Sequence, residues 1–188
     1  MKKSVLLPVL VLGGLLTPLG AEESALVTAP EWLASRITLG ATEKEVIPLF
    51  SAVPARSRVG DLVTVSFAAP PQGVRWPEHV HEDGQHADSC DSTVPWSFQF
   101  RAGRLISVML TMPEGVPLSS VMGGRSAVVR PSGEPIPFAV WRLDAGRVLL
   151  SPGLEQPEEA ARQFLLIDSG LLRVLYPRVA ASLDEPGR

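Results

Sequence analysis

Alternation of apolar and polar residues, cut at intervals by short glycine turns, constrains this chain more than any other feature of its sequence. Trp96, Phe98 and Phe100 alternate with Ser97 and Gln99, Arg101-Ala102-Gly103-Arg104 turns the chain, and Leu105 to Met112 returns. An apolar side chain at every second position suits a half-buried strand, and glycine supplies the positive φ of a tight hairpin. The pattern recurs. Phe138 to Leu143, Asp144-Ala145-Gly146-Arg147 and Val148 to Leu150 repeat it, with Ala-Gly-Arg in the same place. Phe164 to Ile167, Asp168-Ser169-Gly170 and Leu171 to Tyr176 give a third, weaker copy. Upstream, Leu62 to Phe67 puts Val63, Val65 and Phe67 on one face and Thr64 and Ser66 on the other. Three hairpin signals in one chain predict an antiparallel meander.

The front of the chain follows a helical period instead. Pro30 precedes Glu31 to Arg36, with Trp32, Leu33 and Ile37 on one side, which predicts a short amphipathic helix ended by Gly40. Thr42-Glu43-Lys44-Glu45 is a capping box, in which the threonine hydroxyl accepts from the amide of Glu45 while that carboxylate reaches back. The helix it opens carries Val46, Ile47, Leu49 and Phe50; Pro48 inside it removes one backbone bond, so it must be short or bent. Proline-rich joints at Pro70-Pro71, Pro113 to Pro117 and Pro131 to Pro137 separate the strands. A further helix start is expected at Pro157, running through Glu158, Glu159, Ala160 and Ala161. The fold class that follows is α+β, with two short N-terminal helices packed on an antiparallel β-meander sheet. The recurrence leaves open two degenerate sub-repeats, 31–112 and 117–178, within one domain spanning 22–181 and ahead of a disordered tail at 182–188.

Met1-Lys2-Lys3, the apolar run Val5 to Leu16 and the small-residue exit Leu19-Gly20-Ala21 read as a secretory signal peptide, residues 1–21. Pro8 and Gly13-Gly14 interrupt the run, which falls short of the about 20 apolar residues of a membrane span. Position 22 is glutamate, so there is no cysteine for lipoprotein-type attachment. A periplasmic or secreted protein with no transmembrane span after cleavage is the expectation. With 45% hydrophobic residues, the chain of 188 can bury a core of ordinary size. Its net charge of −3 includes Lys2 and Lys3, so the mature chain is more acidic still. That argues against nucleic acid or an anionic membrane surface as its partner.

All three histidines, His79, His81 and His86, and the one cysteine, Cys90, lie within twelve residues of a long acidic loop, 68–95, crowded by Glu78, Glu82, Asp83, Asp88 and Asp91. One cysteine cannot close an intramolecular disulfide. No basic residue occurs between Arg75 and Arg101, so those carboxylates repel one another unless a cation arrives. His79 and His81 share a face if extended, about 6 to 7 Å apart at Cα; His86 and Cys90 share one if helical. Zn or Cu is the natural ion for such a mixed nitrogen and sulfur set, with Asp83, Asp88 or Asp91 as a further ligand or outer partner. The competing reading is a solvated acidic loop. Gly73 followed by His79-Val80-His81 is similar to the first half of the cupin metal motif, although Gln85 and His86 occupy the places of its glutamate and no later histidine exists. His79-Val80-His81-Glu82-Asp83 is similar to the metallo-beta-lactamase signature, with Gly84 in place of its last histidine.

Catalytic readings fail on inventory. Ser119, Ser120 and Ser126 have no nucleophile elbow around them, and a Cys90–His86 dyad has no orienting scaffold in the sequence. Gly123-Gly124-Arg125-Ser126 lacks the lysine and the spacing of a phosphate loop. Glu158-Glu159 complements a helix start, and Trp32, Trp76, Trp96 and Trp141 suit a core or sheet face.

The stretch Ile37-Thr38-Leu39-Gly40-Ala41-Thr42-Glu43-Lys44-Glu45-Val46, followed by Pro54 and by a Phe98-Gln99-Phe100 hairpin closing in Gly103-Arg104-Leu105, resembles the opening of the SmpA/OmlA (BamE-like) domains. It also resembles the related beta-lactamase inhibitory protein fold. The resemblance covers the N-terminal third of the mature chain, with Ala41 where methionine is usual and Pro48 inside the second helix. It implies two short helices ahead of an antiparallel sheet, and a noncatalytic role in binding other proteins. The expected function is therefore noncatalytic binding of another envelope or secreted protein, through the sheet face and the acidic loop. The alternative is a metal-binding periplasmic protein, a divergent cupin, with His79, His81, His86 and Cys90 as ligands to Zn or Cu.

Overall fold

The computed structural model describes residues 27–75, 96–124, 126–153 and 159–184. Its first elements are β1 (Val27–Thr28) and α1 (Ala29–Arg36). Glu31 Oε2 accepts from the Thr28 amide at 3.3 Å, tying the first turn of α1 to its cap, and Ala29, Trp32 and Leu33 are buried. The helix α2 (Glu43–Val46) starts where the capping box places it. Glu45 Oε2 accepts from the Thr42 amide at 2.7 Å and from the Thr42 hydroxyl at 2.8 Å. Pro48 then tightens the chain into a 3₁₀ turn, Ile47–Leu49, so the second helix is short, as proline inside it requires.

Strands follow: β2 (Ala55–Val59), β3 (Leu62–Phe67), β4 (Val74–Arg75), β5 (Trp96–Arg101) and β6 (Arg104–Pro117). A 3₁₀ segment, Leu118–Gly124, leads to β7 (Ala127–Val129), β8 (Phe138–Arg142), β9 (Arg147–Pro152) and β10 (Ala160–Asp168). The chain then forms α3 (Ser169–Leu175) and α4 (Pro177–Asp184). Eight strands make one antiparallel sheet in the order β2-β3-β5-β6-β10-β9-β8-β7, and β1 and β4 form a separate parallel pair. The fold is thus α+β. Two runs of four sequential neighbours, β2-β3-β5-β6 and β7-β8-β9-β10, meet where β6 pairs β10, through Leu110↔Phe164 and Val108↔Leu166.

Alternation assigns the faces. One face carries Val65, Phe67, Trp96, Phe98, Val108, Leu110, Phe164, Leu166, Leu149 and Trp141, all buried in one cluster with Ala29, Trp32, Leu33, Ile37, Val46 and Phe50. Aromatic rings fill its centre. Phe50 stacks on Phe67 at 4.0 Å, and Trp32 meets Trp96 edge-on at 5.5 Å between ring centroids. The opposite face carries a smaller cluster, with Val140, Val148, Leu150 and Ile167 under Leu172, Val179 and Ala180 of α3 and α4.

Four expectations need correction. Leu171 to Tyr176 is not the return strand of a third hairpin, because both edges of β10 are already taken by β6 and β9. Asp168 instead caps α3, its Oδ1 accepting from the Leu171 amide at 2.8 Å. Pro113 to Pro117 is not a joint but the end of β6. The β6–β10 register is interrupted between Thr111↔Gln163 and Val116↔Ala161, which accommodates a proline in a strand, and β5 reaches only to Leu110 on the other side. Gly115 is needed there, since a Cβ on it would lie 2.5 Å from Ala160 Cβ. Ala160 and Ala161 open β10 rather than continue a helix from Pro157; residues 154–158 lie outside the described residues. Finally, α4 carries ordered helix to Asp184, three residues into the expected tail.

Candidate functional site

The candidate ligands His79, His81, His86 and Cys90 lie outside the described residues, as do Trp76, the acidic residues beside them and the expected signal peptide. Among the described residues no group of three or more histidine, cysteine, aspartate or glutamate side chains is placed to hold a metal ion. No described helix is long and apolar enough to cross a membrane.

What the described residues do bring together is a sheet face whose chemistry changes at its midline. Cross-strand register sets Ser57, Thr64, Gln99 and Ser107 in one row, continued beyond the midline by Ile167 and Val148. A second row reads Ala55, Ser66, Ser97 and Met109, then Leu165, Leu150 and Val140. Hydroxyls and an amide thus predominate on β2, β3, β5 and β6, beside Ala55 and Met109, and aliphatic side chains predominate on β10, β9 and β8, where Arg142 ends the first row opposite Val148. The α3–α4 pair packs on the aliphatic half. On the polar half, Thr64, Ser66, Ser97 and Gln99 are half-buried and Met109 is 44% exposed. The polar groups are partly satisfied laterally: Ser107 Oγ donates to Gln99 Oε1 at 2.8 Å, and the Ser66 and Ser97 hydroxyls lie 3.5 Å apart. Both pairs are cross-strand neighbours.

At the boundary between the halves, beside the α3–α4 joint, a half-open cavity of about 230 Å³ is lined by Met109, Ile136, Phe138, Leu150, Leu165 and Tyr176. No charged side chain lines it. Tyr176 closes one side, its ring 5.8 Å from that of Phe138.

The charges nearby are structural. Arg173 Nη2 at 2.9 Å, aided by Arg142, holds the Asp184 carboxyl below its ordinary range and pins the end of α4 to α3 and β8. Arg142 Nη2 also donates to the Leu183 carbonyl. Asp144 is lowered first by its hydrogen bond with Arg147 and then by the Gly146 amide. Arg147 reaches further, its Nη1 donating to the Ala34 and Ile37 carbonyls at 3.2 and 2.9 Å, where a cation complements the helix end. Glu45 is lowered by its hydrogen bonds with the Thr42 backbone and side chain. Carboxylates held in their anionic form are poor proton carriers near neutrality, so these three groups brace the fold. Compared with family models, with curated proteins and with solved structures, the chain matches none.

Sequence reasoning found the alternation that makes this face but missed that α3 and α4 cover only half of it. The missed signal was Asp168, three residues before the half-buried Leu171 and the buried Leu172, which is an N-cap pattern as much as a turn. It missed Arg147 as well, because a contact between residues 110 positions apart leaves no local trace.

Proposed function

We propose that this is an exported, noncatalytic protein-binding module that engages another envelope or secreted protein through the open polar half of its sheet. The observation that carries this reading is the change of chemistry across one continuous face. The aliphatic half is sheltered by α3 and α4, while no helix among the described residues packs on the half bearing Thr64, Ser66, Ser97, Gln99 and Met109. A laterally bonded floor of polar side chains, with an exposed methionine and an apolar cavity at its margin, offers adaptable hydrogen bonds around a hydrophobic anchor point. The resemblance of residues 37–46 to the opening of the SmpA/OmlA and beta-lactamase inhibitory protein domains supports a partner-binding role. We read the second run of four strands, entered through Leu118–Gly124, as a degenerate counterpart, so that residues 31–112 and 117–178 are sub-repeats.

The test is site-specific photo-cross-linking in intact cells, with the probe at Thr64 or Thr111 on the open half and at Ser182 on α4 as control. A discrete adduct from the first two positions alone is expected. Adducts of equal yield from all three, or none from any, would refute the reading. A second reading rests on the crowding of His79, His81, His86 and Cys90 within twelve residues, which are donors suited to Zn or Cu. Mature protein purified without chelators would then carry stoichiometric metal, lost in a His79→Ala/His81→Ala variant. Metal-free protein that also fails to bind added zinc would exclude it.

A further inference from the structure

One rim of the sheet is β2, paired with β3 on one side and with no strand among the described residues on the other. Its hairpin closes through the two-residue loop Gly60–Asp61 on the pair Val59↔Leu62, with Gly60 at φ +62°. A two-residue loop makes its flanking pair a doubly hydrogen-bonded one, and bonded and non-bonded pairs then alternate along the ladder. Val59, Ser57 and Ala55 therefore spend their amides and carbonyls on β3. Arg56 and Arg58 turn theirs outward. All five residues of β2 are exposed.

The side chains of Arg56 and Arg58 lie on one side of the strand, opposite Val65 and Val63. Arg56 Nη2 contacts Glu43 at 3.1 Å with more than half of its side chain open to solvent. Arg58 Nε donates to the Gly60 carbonyl and has no carboxylate partner among the described residues. The outward backbone groups and two guanidiniums thus sit on the same two residues. Pairing with a second copy of β2 would set arginine near arginine, which repels.

From this the geometry points to strand addition at β2 by an extended acidic segment of a partner protein. Its backbone pairs with Arg56 and Arg58, and its carboxylates lie beside their guanidiniums. The proposal rests on the reading of the protein as a partner-binding module, and it uses the rim of the sheet rather than the open face.

The test is titration of the full chain, labelled for amide NMR, with a short end-blocked peptide of alternating glutamate and threonine at low salt. The Arg56 and Arg58 amides should shift and gain protection from exchange while those of β7 stay unchanged. An Arg56→Glu/Arg58→Glu variant should bind the acidic peptide about tenfold more weakly and prefer its lysine counterpart. Arg58→Pro removes one outward amide without touching the bonds to β3 and should abolish binding; if it unfolds, the charge-reversal variant decides. Unshifted Arg56 and Arg58 amides at about millimolar peptide, equal shifts on β7, or binding indifferent to charge reversal would overturn the proposal. The Thr64 cross-link is read separately, so its failure removes the face and not the rim.

Discussion

The two four-strand halves of the sheet solve the same packing problem with different materials. The first half is built on rings: Phe50, Phe67, Trp96 and Phe98 interlock under α1 and the turn that follows it, with Phe50 and Phe98 edge-on at 5.4 Å. The second adds an aliphatic layer of Val140, Val148, Leu150, Ile167 and Leu172 on the other face. Even their look-alike turns differ. Ala102 and Gly103 both take positive φ, +48° and +73°, as a two-residue hairpin turn demands. In Asp144-Ala145-Gly146-Arg147 the turn is instead held by the Asp144 carboxylate, which accepts from the Gly146 and Arg147 amides at 2.8 Å each. A shared tripeptide does not fix a shared geometry; the residue before it decides whether glycine's freedom is used.

The comparison can be broken most severely at its aromatic side. Phe98→Ala removes a fully buried ring and is expected to cost about 3–5 kcal/mol by urea unfolding, with both halves lost in one transition. Leu172→Ala, in the smaller cluster, is expected to cost about 2–3 kcal/mol. Its amide exchange should accelerate in β8 and β9 before β3 and β5, and a uniform change would mean that the halves do not open separately. Arg147→Met cuts the tie between the second half and the end of α1 and should cost about 1–2 kcal/mol; a double-mutant cycle with Asp144→Asn measures how much of that is the ion pair.

Smaller effects sharpen the contrast between the turns. Ala102→Asn relieves a left-handed alanine and should stabilise by about 1 kcal/mol in thermal unfolding, whereas Ala145→Asn should be neutral. The carboxyls of Glu45, Asp144 and Asp184 are all lowered by folding. Each therefore adds stability that is complete above its unfolded pKa and is lost as the pH falls through its folded one. Melting temperature should fall below about pH 4, and less steeply in Asp144→Asn.

Legibility in the sequence followed the range of the forces. The capping box at Thr42, the bend at Pro48, β3 at Leu62–Phe67 and the β5–β6 hairpin all follow from residues within a few positions of one another. What escaped was decided at long range. Leu171 to Tyr176 turned helical because β10 had no free edge, and Pro117 stayed in a strand because β10 arrived beside it. The polar face was half legible: Thr64, Ser66, Ser97 and Gln99 announce a polar surface, but that α3 and α4 pack on the other half is decided by tertiary contacts.

The pairing of β6 with β10 has a consequence for how the chain is made. Its partners, from Pro117↔Ala160 to Ser107↔Ile167, are some forty to sixty residues apart, and β10 is the last strand to be synthesised. Until it emerges, β6, the longest strand among the described residues, waits with one side unpaired, a template for any passing β-segment. A nascent chain would need shielding for that interval, and loop closure of this length makes the docking step slow relative to the local hairpins. Truncation before β10 should therefore yield aggregates rather than a folded half.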